Sequence, residues 1–130
     1  MNIMIPVSFG ELIDKITILK IKYEKFAGRA QQNVKHELLL LQKVRSEVML
    51  DDKTARTLGV LLRELQQINE MLWQVEALRR KPGLADTTVV SHAKAVSRLN
   101  EERARVKREI TLLVGTPGGV IEEKNYGIGA

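Results

Sequence analysis

Two apolar stripes of heptad spacing, set either side of a Pro-Gly break, dominate what this chain can become. Leu58, Leu61, Leu65, Ile68, Leu72 and Val75 recur at alternating steps of three and four residues. Such steps keep one face of a helix apolar and are the pattern of a coiled-coil seam. The stripe ends at Arg79-Arg80-Lys81, cations that suit a helix C-terminus, and Pro82-Gly83 stops the helix. A second helix is expected to begin near Asp86 to Thr88 and run to Gly115. Its stripe is His92, Val96, Leu99, Arg103, Val106, Ile110 and Leu113. At ~1.5 Å rise per residue each helix is ~40 Å long, and the short turn between them requires an antiparallel hairpin.

Two shorter helices precede this hairpin. Ser8-Phe9-Gly10-Glu11 reads as a capping box, in which the Ser8 hydroxyl accepts from the Glu11 amide and Glu11 reaches back to the Ser8 amide. Gly28 is expected to end that helix, with the next running from about Asn33 to Leu50, and Asp51-Asp52 cap the third. The prediction is an all-α, antiparallel bundle of four main helices, a short hairpin plus a long one, with short extended N- and C-terminal arms. Residues 1–130 form a single domain: an extended arm over 1–7, the bundle over 8–115 and a tail over 116–130. Pro6 keeps the opening NIMIPV extended. The segment VIEEK at 120–124 reads either as a short strand that pairs with that arm or as a simple tail. Only 4% of residues are aromatic against 44% hydrophobic, so the core must be aliphatic.

On a helical wheel, Phe9, Leu12, Ile13, Ile16, Leu19, Tyr23, Phe26 and Ala27 gather into one broad arc, the expected core stripe. Glu11, Lys15 and Lys22 form a polar ridge, with Glu11 and Lys15 at a favourable i,i+4 spacing. Ile18 and Ile21 lie apart from the core stripe, around Asp14 and Lys25. A second apolar surface predicts a second contact, either inside the bundle or across a dimer, with Asp14 at its centre.

Several functions are excluded by what is missing. No cysteine is present, so there is no disulfide, thiolate metal site or cysteine nucleophile. His36 and His92 are far apart, which argues against a zinc site. No dinucleotide fingerprint or phosphate loop occurs, and GTPGG at 115–119 lacks the lysine and following helix that a phosphate loop needs. The acidic pairs Asp51-Asp52, Glu101-Glu102 and Glu122-Glu123 are sequence neighbours, not the facing carboxylates of acid–base catalysis. No cofactor or metal is therefore expected. Net charge is +5, yet the densest basic stretch, Arg98 to Arg108, also holds Glu101 and Glu102. Interleaved charge of this kind reads as a solvated face, and nucleic acid is not expected as a partner. The longest aliphatic run, Leu38 to Leu41, is far below the ~20 residues of a membrane span. The opening MNIMIPVS has no cation ahead of a short apolar stretch, unlike a secretory signal, so a cytoplasmic location is expected.

Polar residues at positions where the pattern expects apolar ones supply the candidate site. Arg103 sits on the fourth stripe, mid-helix, and a buried guanidinium needs an anion. Asn69 and Asn100 adjoin stripe residues Ile68 and Leu99, while Glu70 and Glu76 lie nearby on the third helix. Two roles fit Arg103: a buried ion pair that fixes helix register, or, with the asparagines, Asp14 and Lys15, an anion site between helices. Trp73, the only tryptophan, follows Leu72 as a core-edge residue or an interface anchor.

The opening IPVSFGELIDKITILKIK, INExLW at 68–73, LNEER at 99–103 and VxEEKxY at the close resemble an uncharacterised family of short bacterial helical proteins. The resemblance spans nearly the whole chain. It implies a cytoplasmic bacterial protein associated with envelope-sugar biosynthesis, and assigns no activity. It marks Ser8, Glu11, Asp14, Lys15, Thr17, Asn69, Trp73, Asn100, Arg103, Glu122, Glu123, Lys124 and Tyr126 without giving them roles. The chain departs from the family pattern at its Gly-rich 116–119. Small all-helical chorismate mutases also hold Arg, Lys and Glu inside a bundle, but their active-site spacing does not align with this chain. The expectation is a non-enzymatic interaction or scaffold module that partners itself as a homodimer, or another protein. The alternative is a binding protein or enzyme for a small anionic ligand around Arg103.

Overall fold

The computed structural model describes residues 1–115 and 119–123, and among them there are four helices and no strand. These are α1 (Phe9–Lys25), α2 (Gly28–Ser46), α3 (Asp52–Arg79) and α4 (Asp86–Val114). The all-α four-helix arrangement predicted from the stripes is the one observed. Local signals set three of the boundaries as expected: Ser8 Oγ accepts from the Glu11 amide at 3.1 Å, Asp51 Oδ1 accepts from the Thr54 amide at 2.7 Å, and α3 stops ahead of Pro82.

Gly28 plays the opposite part to the one expected. It opens α2 instead of closing α1, with φ of 61° in the left-handed region that favours glycine. Arg29 to Gln32 are good helix formers, so α2 extends back to the glycine. Only Phe26 and Ala27 separate α1 from α2, and Gln31 caps the turn by donating from Nε2 to the Tyr23 carbonyl at 2.9 Å. At its other end α2 stops at Ser46, short of Leu50, and the connection to α3 lets Leu50 pack on the hairpin core. The arm over 1–7 is exposed and without regular structure, as are the described tail residues 119–123. The strand pairing considered for NIMIPV and VIEEK is therefore not formed by the described residues, and Lys124 lies outside them.

The layers follow from which faces are apolar. α3 and α4 pack along their stripes, joining Leu58, Leu65, Ile68, Leu99, Val106 and Ile110 with Ile13 of α1. A separate cluster joins Leu12, Ile16 and Leu19 of α1 to Val34 and Leu38 of α2. α1 is thus the middle layer, with α2 on one side and the hairpin on the other, and α2 makes no packing contact with α3 or α4. The second surface of α1 is a contact inside the bundle. Its membership differs from the wheel: Tyr23 and Phe26, assigned to the core stripe, are exposed. The face turned to the hairpin is Gly10, Ile13, Asp14, Thr17 and Ile21, all buried.

Candidate functional site

Asp14 is fully buried at the centre of that face, and its carboxylate needs partners in a region without water. α4 runs antiparallel to α1 and presents Arg103, Lys107 and Thr111 in one row, each a helical turn apart. Arg103 donates from Nε to Asp14 Oδ1 at 2.9 Å and from Nη2 to Oδ2 at 2.5 Å, a bidentate pair. Asn69 of α3 donates from Nδ2 to Asp14 Oδ1 at 3.0 Å and to Thr17 Oγ1 at 2.8 Å, while the Thr17 hydroxyl donates to the Asp14 carbonyl at 2.7 Å. One carboxylate therefore ties together all three helices of the inner core. Thr17 bonds back along its own helix and both Asp14 oxygens are engaged, so the carboxylate itself is not left for a reactant.

A turn further along, Lys107 Nζ meets Glu11 Oε2 at 2.5 Å, Glu122 at 3.1 Å and Asp14 Oδ2 at 3.8 Å. Glu11 thus turns toward α4 and Lys15, not back to the Ser8 amide as the capping box implied. The tail returns along α4, where Arg108 pairs with Glu123 at 2.7 Å. At the α1 N-terminus the Gly10 amide donates to Thr111 Oγ1 at 2.9 Å, so an otherwise unpaired first-turn N–H is capped from another helix. The backbones approach so closely that a Cβ on Gly10 would lie 2.1 Å from the Lys107 carbonyl oxygen.

The guanidinium of Arg103 is held above its usual value by its bond to Asp14, against burial. For Lys107 the largest single influence is burial, which pushes its amine down. The bonds to Glu11 and Glu122 and the charges of Asp14 and Glu11 together outweigh it, and the net shift is upward. A folded-state value raised above the unfolded one gives stability that is complete below the ordinary lysine value of about 10.4 and is lost as pH rises through the higher folded value. Between those two values the unfolding midpoint of the native chain is expected to fall more steeply with pH than that of Lys107→Met. Parallel slopes in urea titrations at alkaline pH would contradict the linkage.

Beyond the Asp14 group lies a cleft of about 440 Å³, lined among others by Ile21, Phe26, Leu72, Trp73 and Arg103. The rings of Phe26 and Trp73 stand 6.0 Å apart and tilted by 55°. Compared with protein families, with curated proteins and with solved structures, the chain matches none.

Of the residues singled out from sequence, Asp14, Thr17, Asn69 and Arg103 come together. The anion for Arg103 comes from α1, and not from Glu70 or Glu76 of α3, which meet Gln66 and Arg79. Trp73 is half-buried at the cleft. Lys15 is exposed on the outer ridge with Glu11 at 4.0 Å, and Asn100 is half-buried on α4 away from the cluster. Tyr126 lies outside the described residues. Gly10, Lys107 and Thr111 were not anticipated. Their signal is spacing: residues 10, 13, 14, 17 and 21 follow one helical row, as do 103, 107 and 111. Among the described residues no group of three His, Asp or Glu is arranged to hold a metal ion, and no helix is long and apolar enough to cross a membrane.

Proposed function

We propose that this chain is a non-enzymatic helical interaction module that works as a homodimer in the bacterial cytoplasm. The observation that supports it is where the apolar surface has been left. The arm presents Ile3, Met4 and Ile5 to solvent at 79%, 87% and 69% exposure, and the outer face of α2 presents Leu39, Leu40 and Val44. In the same molecule the polar centre is closed on itself, with both Asp14 oxygens engaged. Exposed apolar residues in this number favour association, and a second copy is the simplest cover. Size-exclusion chromatography with light scattering tests it. A species of twice the 14.7 kDa chain mass is expected, reverting toward the monomer when Leu40 and Val44 are both changed to serine. A monomer at every concentration up to the millimolar range would remove the dimer.

A second reading is favoured by the cleft: a binding protein for a small anionic ligand around Arg103. The resemblance of IPVSFGELIDKITILKIK to bacterial proteins associated with envelope sugars lends this reading a context in the same metabolism.

A further inference from the structure

The space between α1 and the hairpin is a wedge. Gly10 against Lys107 and Thr111 closes one end, the Asp14–Arg103 pair pins the middle, and at the far, open end the rings of Phe26 and Trp73 stand against each other. The cleft fills this open end. Its walls are Ile18 and Ile21 from α1 and Leu72 and Trp73 from α3, with Phe26 at the rim. These are apolar or aromatic faces suited to a flat body.

Its polar equipment is cationic. Arg103 uses Nε and Nη2 on Asp14, while Nη1 has no partner among the described residues and 27% of the side chain is exposed. Asp14 already balances the charge of Arg103, so this guanidinium offers directed N–H donors more than net charge. Charge comes from Lys22 and Arg80, which also line the cleft and have no carboxylate partner among the described residues. The one acid on the lining, Glu76, is engaged by Arg79 at 3.2 Å. Two unpaired cations and a free guanidinium nitrogen beside aromatic walls match a doubly charged head on a flat apolar body.

We propose that this cleft binds an organic phosphate monoester with a flat, apolar body, its phosphate held by Arg103 Nη1, Lys22 and Arg80 and its body placed against Trp73, Phe26 and Ile21. The proposal rests on the second reading above and names its ligand class. A phosphate monoester is close to dianionic above pH 7, and Arg is well suited to its oxygens.

Trp73 is the only tryptophan, so its indole N–H gives a single resonance that reports from the wall of the site. Titrating the full chain with 1-naphthyl phosphate at pH 7.5 is expected to shift this resonance saturably with one-site behaviour. The Lys22→Gln/Arg80→Gln variant is expected to weaken binding about fivefold, the size of two partly screened charges. Phe26→Ala is expected to weaken it by a similar factor through loss of one aromatic wall. These side chains lie at the surface or rim, and an otherwise unchanged amide spectrum certifies each fold. Inorganic phosphate binding as tightly as the naphthyl ester would overturn the flat-bodied ligand while leaving the anion reading standing. Equal binding of uncharged 1-naphthalenemethanol, or of the ester to the double variant, would overturn the anion as well. No Trp73 shift with any of the three overturns the site.

Discussion

Asp14→Ala is expected to lower the stability of the fold by roughly 3–5 kcal/mol, the range for removing one partner of a buried ion pair. The cause is less the loss of attraction than what remains. Arg103, half-buried at the cleft, would lose its anion, Lys107 would be left with Glu11 and Glu122, and Asn69 would lose one of its two acceptors. Against a total stability of ~5–15 kcal/mol for a domain of this size, that change is visible as a large drop in the urea midpoint. Arg103→Met alone leaves the buried Asp14 carboxylate with only Asn69 and the more distant Lys107, and is expected to cost up to a similar amount. The double variant Asp14→Leu/Arg103→Met is expected to recover most of the loss, because an apolar pair of similar volume removes both desolvated charges. The two single losses adding without recovery in that cycle would show that the pair does not act as a unit.

Gly10→Ala carries the second large effect. Three contributions compete. Replacing a helical glycine gains about 1 kcal/mol of helix propensity. The new Cβ, however, would lie 2.1 Å from the Lys107 carbonyl oxygen and 2.7 Å from Thr111 Oγ1, and the first of these is backbone that cannot rotate away. Parting α1 from α4 strains the packing by about 1–3 kcal/mol. It also breaks the bond from the Gly10 amide to Thr111, for about 1 kcal/mol more. The clash wins, and a net loss of roughly 1–3 kcal/mol is expected. Gly59→Ala is the control, since there the nearest neighbour of a new Cβ is the flexible end of Arg63 at 3.7 Å. That variant is expected to gain up to about 1 kcal/mol. If both substitutions stabilised the chain in thermal and urea unfolding, the close approach of α1 to α4 would be wrong.

The contrast between these two glycines shows what sequence carries and what it does not. A cap, a Pro-Gly stop and a heptad stripe are local, and Ser8, Asp51, Pro82 and the rows from Leu58 to Val75 and from Val96 to Leu113 could be placed from spacing alone. Gly28 could not be settled that way, because a glycine at a helix boundary reads equally as the end of one helix or the start of another. Arg103 announced the need for an anion or a route to solvent, and the structure gives it both, Asp14 and the edge of the cleft. Its partner stayed hidden because α1 was oriented by counting apolar side chains. The face α1 turns to the hairpin carries Gly10, Asp14 and Thr17, which add nothing to such a count. That face is recognised only when small and polar residues at helical spacing are allowed to define a contact. Tyr23 and Phe26 fail for the converse reason: they are apolar and phased for the core, but they sit at the turn into α2, where Phe26 leaves the helix and meets Trp73 at the surface.

That seam bears on how the molecule comes apart. α2 packs on α1 alone, through the apolar seam, the Gln31 bond to the Tyr23 carbonyl and Arg45 over the Phe9 ring, whereas α1, α3 and α4 share a charged and hydrogen-bonded centre. A fluctuation that loosens Val34 and Leu38 therefore releases α2 as a unit without disturbing Asp14, and the remaining three helices keep their register. Packing of this kind divides the molecule into a three-helix centre and a single helix laid on it, the part expected to open first. Its departure would uncover Leu12, Ile16 and Leu19 together, an apolar strip that the closed form keeps entirely from view.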